Sequence, residues 1–63
     1  MRIEKFSNEM IPEVEKNWDV FDALCPRSGT ERLNFKYGDE LHSATIHGEG
    51  GETVLIYDGI LEF

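Results

Sequence analysis

Residues 52–63, Glu-Thr-Val-Leu-Ile-Tyr-Asp-Gly-Ile-Leu-Glu-Phe, form the most apolar stretch of the chain and the one whose geometry is most restricted. Asp58-Gly59 lies between two runs of strand formers, the pattern of a two-residue hairpin loop in a type I′ turn, where both central residues take positive φ. This predicts antiparallel strands over residues 52–57 and 60–63, with Tyr57 opposite Ile60, Ile56 opposite Leu61, Leu55 opposite Glu62 and Val54 opposite Phe63. Alternation then places Val54, Ile56, Leu61 and Phe63 on one wholly apolar face, the expected core face. Thr53, Leu55, Tyr57, Ile60 and Glu62 fall on the other. That second face is too apolar for plain solvent and too polar for a second core, so it is the expected docking face.

The chain has 63 residues. A chain this short buries only about 60% of its unfolded surface, which leaves room for a single domain over residues 1–63 and none for a two-domain enzyme. The start at Met1 and the end on a strand residue suggest a complete chain. Cys25 is the single cysteine, so no intramolecular disulfide can form, and one Cys with two His cannot supply a four-ligand zinc site. Stability has to come from packing or from association. A free thiol and a start without an apolar h-region point to a cytoplasmic protein with no signal peptide or membrane span.

Thirteen Asp and Glu against six Lys and Arg give a net charge of −7. That balance argues against direct binding to nucleic acid or to an anionic membrane and favours a protein partner with a basic surface. The plainer reading of the same charge is solubility.

Residues 2–6 read as a short strand or a lead-in arm, because Ile3 and Phe6 do not share one alternating face. Ser7 and Asn8 offer capping side chains, Pro12 suits a first helical turn, and Glu13 and Glu15 complement the positive end of the helix dipole. A helix over about residues 12–24 follows. Ile11, Val14, Trp18, Phe21 and Cys25 recur at helical spacing on one face, and Pro26 stops the element. Trp18 is a core residue on this pattern, with a predicted loss of about 3 to 5 kcal/mol in Trp18→Ala. Glu15, Asp19 and Asp22 line the flank of the same helix. They read either as a solvated face or as a row of carboxylates that imitates phosphates, as in a DNA mimic.

Pro26-Arg27-Ser28-Gly29-Thr30 is a connector. Leu33, Phe35 and Tyr37 alternate with Asn34 and Lys36, which predicts a half-buried strand over about residues 32–37, with a turn at Gly38-Asp39. A strand over residues 41–47 should join the next through a three-residue loop at Glu49-Gly50-Gly51, a register that sets Ile46 and Ala44 opposite Val54 and Ile56. The expected fold is α+β, one amphipathic helix on an antiparallel meander of about four strands. The alternative is an SH3-like, partly open β-barrel with an N-terminal helix.

No catalytic constellation emerges. Cys25 falls at a helix C-terminus, where the dipole disfavours a thiolate. His42 and His47 are an odd number of positions apart, so on one strand they face opposite sides and cannot share a metal. Gly48-Glu49-Gly50-Gly51 lacks the Lys and Ser or Thr of a P-loop. The chain is therefore expected to be no enzyme and to hold no metal or cofactor. Its expected function is that of a small acidic protein-binding module, an inhibitor or regulator, using Glu15, Asp19, Asp22, Leu55, Tyr57, Ile60 and Glu62. The alternative is a structural domain that forms a homodimer through the same sheet face.

Overall fold

The computed structural model describes residues 2–26 and 29–61. Four strands, β1 (Arg2–Glu4), β2 (Thr30–Tyr37), β3 (Glu40–Glu49) and β4 (Glu52–Ile60), form one sheet in the order β1-β4-β3-β2. β2, β3 and β4 are the expected antiparallel meander, but β1 runs parallel to β4, with Ile3 beside Leu55. The sheet is therefore mixed and open, neither a pure meander nor a barrel.

Two turns fix the meander. Gly38, with φ 63°, and Asp39 join Tyr37 to Glu40. A glycine at positive φ in the first central position, followed by a residue at negative φ, is a type II′ hairpin turn. Gly50 and Gly51, with φ 57° and 81°, join Glu49 to Glu52. Two consecutive left-handed residues make a type I′ turn, so the loop has two residues and not the expected three.

That one-residue difference inverts β4. Ile46 and Ala44 lie opposite Leu55 and Tyr57, whereas Val54 and Ile56 pair with His47 and Thr45 on the far face. Leu55 joins the core and Tyr57 packs against it. β4 is apolar on both faces, so its own periodicity could not choose between them. The choice rested on Asp58-Gly59 as a turn, and Asp58-Gly59 is not one. β4 runs straight through to Ile60 with Asp58 as an extra residue, since Tyr57 faces Ala44 and Gly59 faces Ser43. The result is a β-bulge. Asp58 turns its carboxylate to the far face, where Thr45 Oγ1 donates to it at 2.7 Å and Arg32 Nε lies at 3.8 Å. Gly59 supplies the φ of 125° that follows the bulge. Of the expected strand over residues 60–63, Ile60 is the last residue of β4, and positions 62 and 63 lie outside the described residues.

The expected single helix is two, α1 (Ile11–Lys16) and α2 (Trp18–Leu24), divided at Asn17. Asn17 has φ −103° and ψ 15°, and its side-chain amide donates to the Glu13 carbonyl at 2.9 Å. A side chain that competes for a helix carbonyl favours such a break. Neither Ser7 nor Asn8 caps α1 through its side chain; Met10 is the N-cap, and the Ser7 carbonyl accepts from Met10 and Ile11 instead.

The core lies between the helices and one sheet face, built from Phe6, Met10, Val14, Phe21, Ala44, Ile46 and Leu55. The apolar helical stripe reads as expected: Ile11, Trp18 and Cys25 pack against this cluster from its margin. Among the described residues no helix is long and apolar enough to cross a membrane.

Candidate protein-docking groove

α2 sits across the sheet with two different flanks. Phe21 points down, edge-on to Phe35 with ring centres 6.0 Å apart. On the β4 side, Thr53 Oγ1 donates to Asp22 Oδ1 at 2.6 Å. On the β2 side, Val20 and Leu24 stand 58% and 52% exposed. Below them a groove of about 360 Å³ opens between the helices and β2, walled by Val14, Phe21, Leu24, Leu33 and Phe35 with Glu13 and Lys36 at its rim. A space of this size falls at the lower end of the range of binding clefts.

Carboxylates gather more densely at one end of the groove than at the other, where Glu31 is exposed on the same sheet face. Towards Tyr37, whose hydroxyl donates to the Glu9 carbonyl at 3.1 Å, stand the exposed carboxylates of Glu9, Glu13, Asp39 and Glu40. Lys36 also lines the groove. Towards the start of β2 the walls are the aliphatic Val20, Leu24 and Leu33. The helical layer as a whole carries exposed Glu9, Glu13, Glu15, Asp19 and Asp22 against exposed Lys16.

The residues expected to form one docking face do not meet. Leu55 is fully buried under the helices, and Tyr57 is half-buried with its hydroxyl 2.8 Å from His42 Nδ1. Neither can anchor a partner or a second copy without opening the core. Ile60 is 51% exposed beyond the bulge. Glu62 lies outside the described residues. Glu15 and Asp19 are exposed, but the break at Asn17 means that Glu15, Asp19 and Asp22 are not one continuous helical row. Sequence reasoning did not single out Val20 and Leu24 as an exposed edge. Their spacing of four, off the stripe of Ile11, Val14, Trp18, Phe21 and Cys25, was the available signal of a second apolar edge on α2.

The far face of the sheet is mainly polar. One row across the strands carries Glu4, Ile56, Thr45 and Arg32, and the next Arg2, Val54, His47 and Thr30. Arg2 donates to Glu49 at 2.7 Å and to Glu4 at 2.9 Å, and the hydrogen bond to Glu49, then that to Glu4, pushes its pKa up. His42 belongs to the helical side. It is 5% exposed, stacked on Phe35 with ring centres 5.5 Å apart, and its Nε2 has no hydrogen-bond partner among the described residues. Cys25 is half-buried with its thiol 3.5 Å from the Pro26 carbonyl.

Comparison of the chain with protein-family models, with curated proteins and with solved structures returns no match.

Proposed function

We propose that this chain is a small acidic protein-binding module, a regulator or inhibitor that docks on a larger protein with a basic surface. The observation that carries the reading is the pairing of an open apolar groove, with Val20 and Leu24 projecting beside it, and a surrounding helical layer dominated by carboxylates. Apolar anchors supply the contact area of an interface, and charge supplies steering and selectivity. A net charge of −7 draws a basic partner and keeps copies of the chain apart.

The test is affinity capture from a nuclease-treated cell lysate, followed by mass spectrometry of the proteins released at high salt. The wild-type chain should retain one basic protein in a salt-sensitive way. The quadruple charge reversal of Glu9, Glu13, Glu15 and Asp19 to Lys should lose it, and so should Leu24→Asp, with the circular dichroism of both variants unchanged. Retention of the same protein by the folded charge-reversed variant would remove the reading.

A further inference from the structure

The edge of β2 and the groove beside it have a joint chemistry that neither has alone. Tyr37 and Glu40 flank the Gly38-Asp39 turn, and such a turn closes with the Tyr37 carbonyl accepting from the Glu40 N–H. Hydrogen-bonded and open pairs alternate along an antiparallel ladder. Phe35, Leu33 and Glu31 therefore bond to β3, while Thr30, Arg32, Asn34 and Lys36 direct their N–H and C=O groups away from the sheet. The ladder runs without a bulge from the Thr30–His47 pair to the Tyr37–Glu40 pair, and β2 contains no proline. Such an edge is a template for another strand. At the opposite side of the sheet β1 is only 3 residues long.

We infer that β2 accepts, by strand addition, an extended segment of a partner protein whose alternate aliphatic side chains enter the groove and whose Lys or Arg residues lie at the Tyr37 end. This deepens the reading above and rests on it. Main-chain bonds to an edge supply affinity in this mode, and pockets for alternate side chains supply selectivity. The inward side chains of an added strand would meet Val20, Leu24, Leu33 and Phe35. At the Tyr37 end the carboxylates of Glu9, Glu13, Asp39 and Glu40 favour a cationic occupant. A second copy of this chain is a poor occupant. It brings the same −7 charge. A two-fold pairing of β2 centred on Asn34 sets Arg32 against Lys36 of the other copy, and one centred on Leu33 sets Glu31 against Phe35.

The test begins with selection of a displayed library of random peptides on the immobilised full chain. An enriched peptide, fluorescein-labelled, is then titrated against the wild type, the Glu9→Lys/Glu13→Lys double variant, and a synthetic chain N-methylated on the Asn34 backbone nitrogen. Enriched peptides should alternate aliphatic residues and carry Lys or Arg at one end. N-methylation, which removes an outward donor and leaves the ladder to β3 intact, should weaken binding roughly tenfold or more. The double charge reversal should also weaken it roughly tenfold. If the methylated chain does not fold, hydrogen exchange of the wild type decides: the peptide should protect the amides of Arg32, Asn34 and Lys36. Absence of the alternating basic pattern, unchanged affinity after methylation, or protection elsewhere would overturn the inference. A captured protein that binds the methylated chain fully but is lost on charge reversal would sink strand addition alone and leave the docking function standing.

Discussion

His42 and Tyr57 share one hydrogen bond inside a cluster of rings, with Phe6 5.2 Å from Tyr57 and Tyr37 5.9 Å from His42 between ring centres. Tyr57→Phe strips His42 of its partner when its other ring nitrogen has none among the described residues, so it should cost about 1 to 3 kcal/mol. Adding His42→Phe to that variant removes the stranded polar group and should recover most of the loss, because replacing both partners by apolar groups is nearly neutral. Urea midpoints at constant m-value measure both changes. Lys5 presents the opposite problem. It has φ 66°, a left-handed conformation that costs a side-chain-bearing residue about 1 to 2 kcal/mol. Lys5→Gly should raise the urea midpoint, whereas Lys5→Val should lower it. Trp18 packs against the core but is only half-buried. Trp18→Ala should therefore cost about 2 kcal/mol, less than the 3 to 5 expected of an enclosed ring.

Among the elements, the ones set by a single periodic signal were legible and the ones set by a competition were not. Leu33, Phe35 and Tyr37 alternate with polar residues and do face the helices. The stripe of Ile11, Val14, Trp18, Phe21 and Cys25 packs on the core although the helix breaks beneath it. β4 was ambiguous because Val54-Leu55-Ile56-Tyr57 is apolar at every position, and Asp-Gly serves a bulge as readily as a turn. What decides for the bulge is long-range: Asp58 meets Thr45 and Arg32, and continued pairing of Gly59 and Ile60 with β3 outweighs an early reversal. With that register Leu55 and Tyr57 turn to the core, and the expected helical row of Glu15, Asp19 and Asp22 is divided at Asn17. Gly59→Val tests the bulge. At φ 125° a branched side chain should cost about 1 to 3 kcal/mol, read as a lower thermal midpoint; an unchanged midpoint would mean that β4 tolerates another path.

At the scale of the molecule, a net charge of −7 on a radius of gyration of 11.2 Å sets carboxylates within a screening length of one another. Raising NaCl from about 0.05 M to about 1 M should lift the melting temperature by a few degrees as this repulsion is screened. A midpoint that falls with salt would show that ion pairs such as Arg2 with Glu49 dominate instead. The parallel pairing of β1 with β4 bears on how the chain reaches this state. β2, β3 and β4 are joined by two-residue turns and can zip locally, but β1 must wait for the last strand. Ile3→Ala should therefore speed unfolding and leave the folding rate nearly unchanged. During synthesis Arg2 to Glu4 have no strand to pair with until Glu52 to Ile60 have cleared the exit tunnel. Nascent chains stalled before Glu52 should therefore leave Arg2 to Glu4 as open to proteolysis as an unfolded peptide.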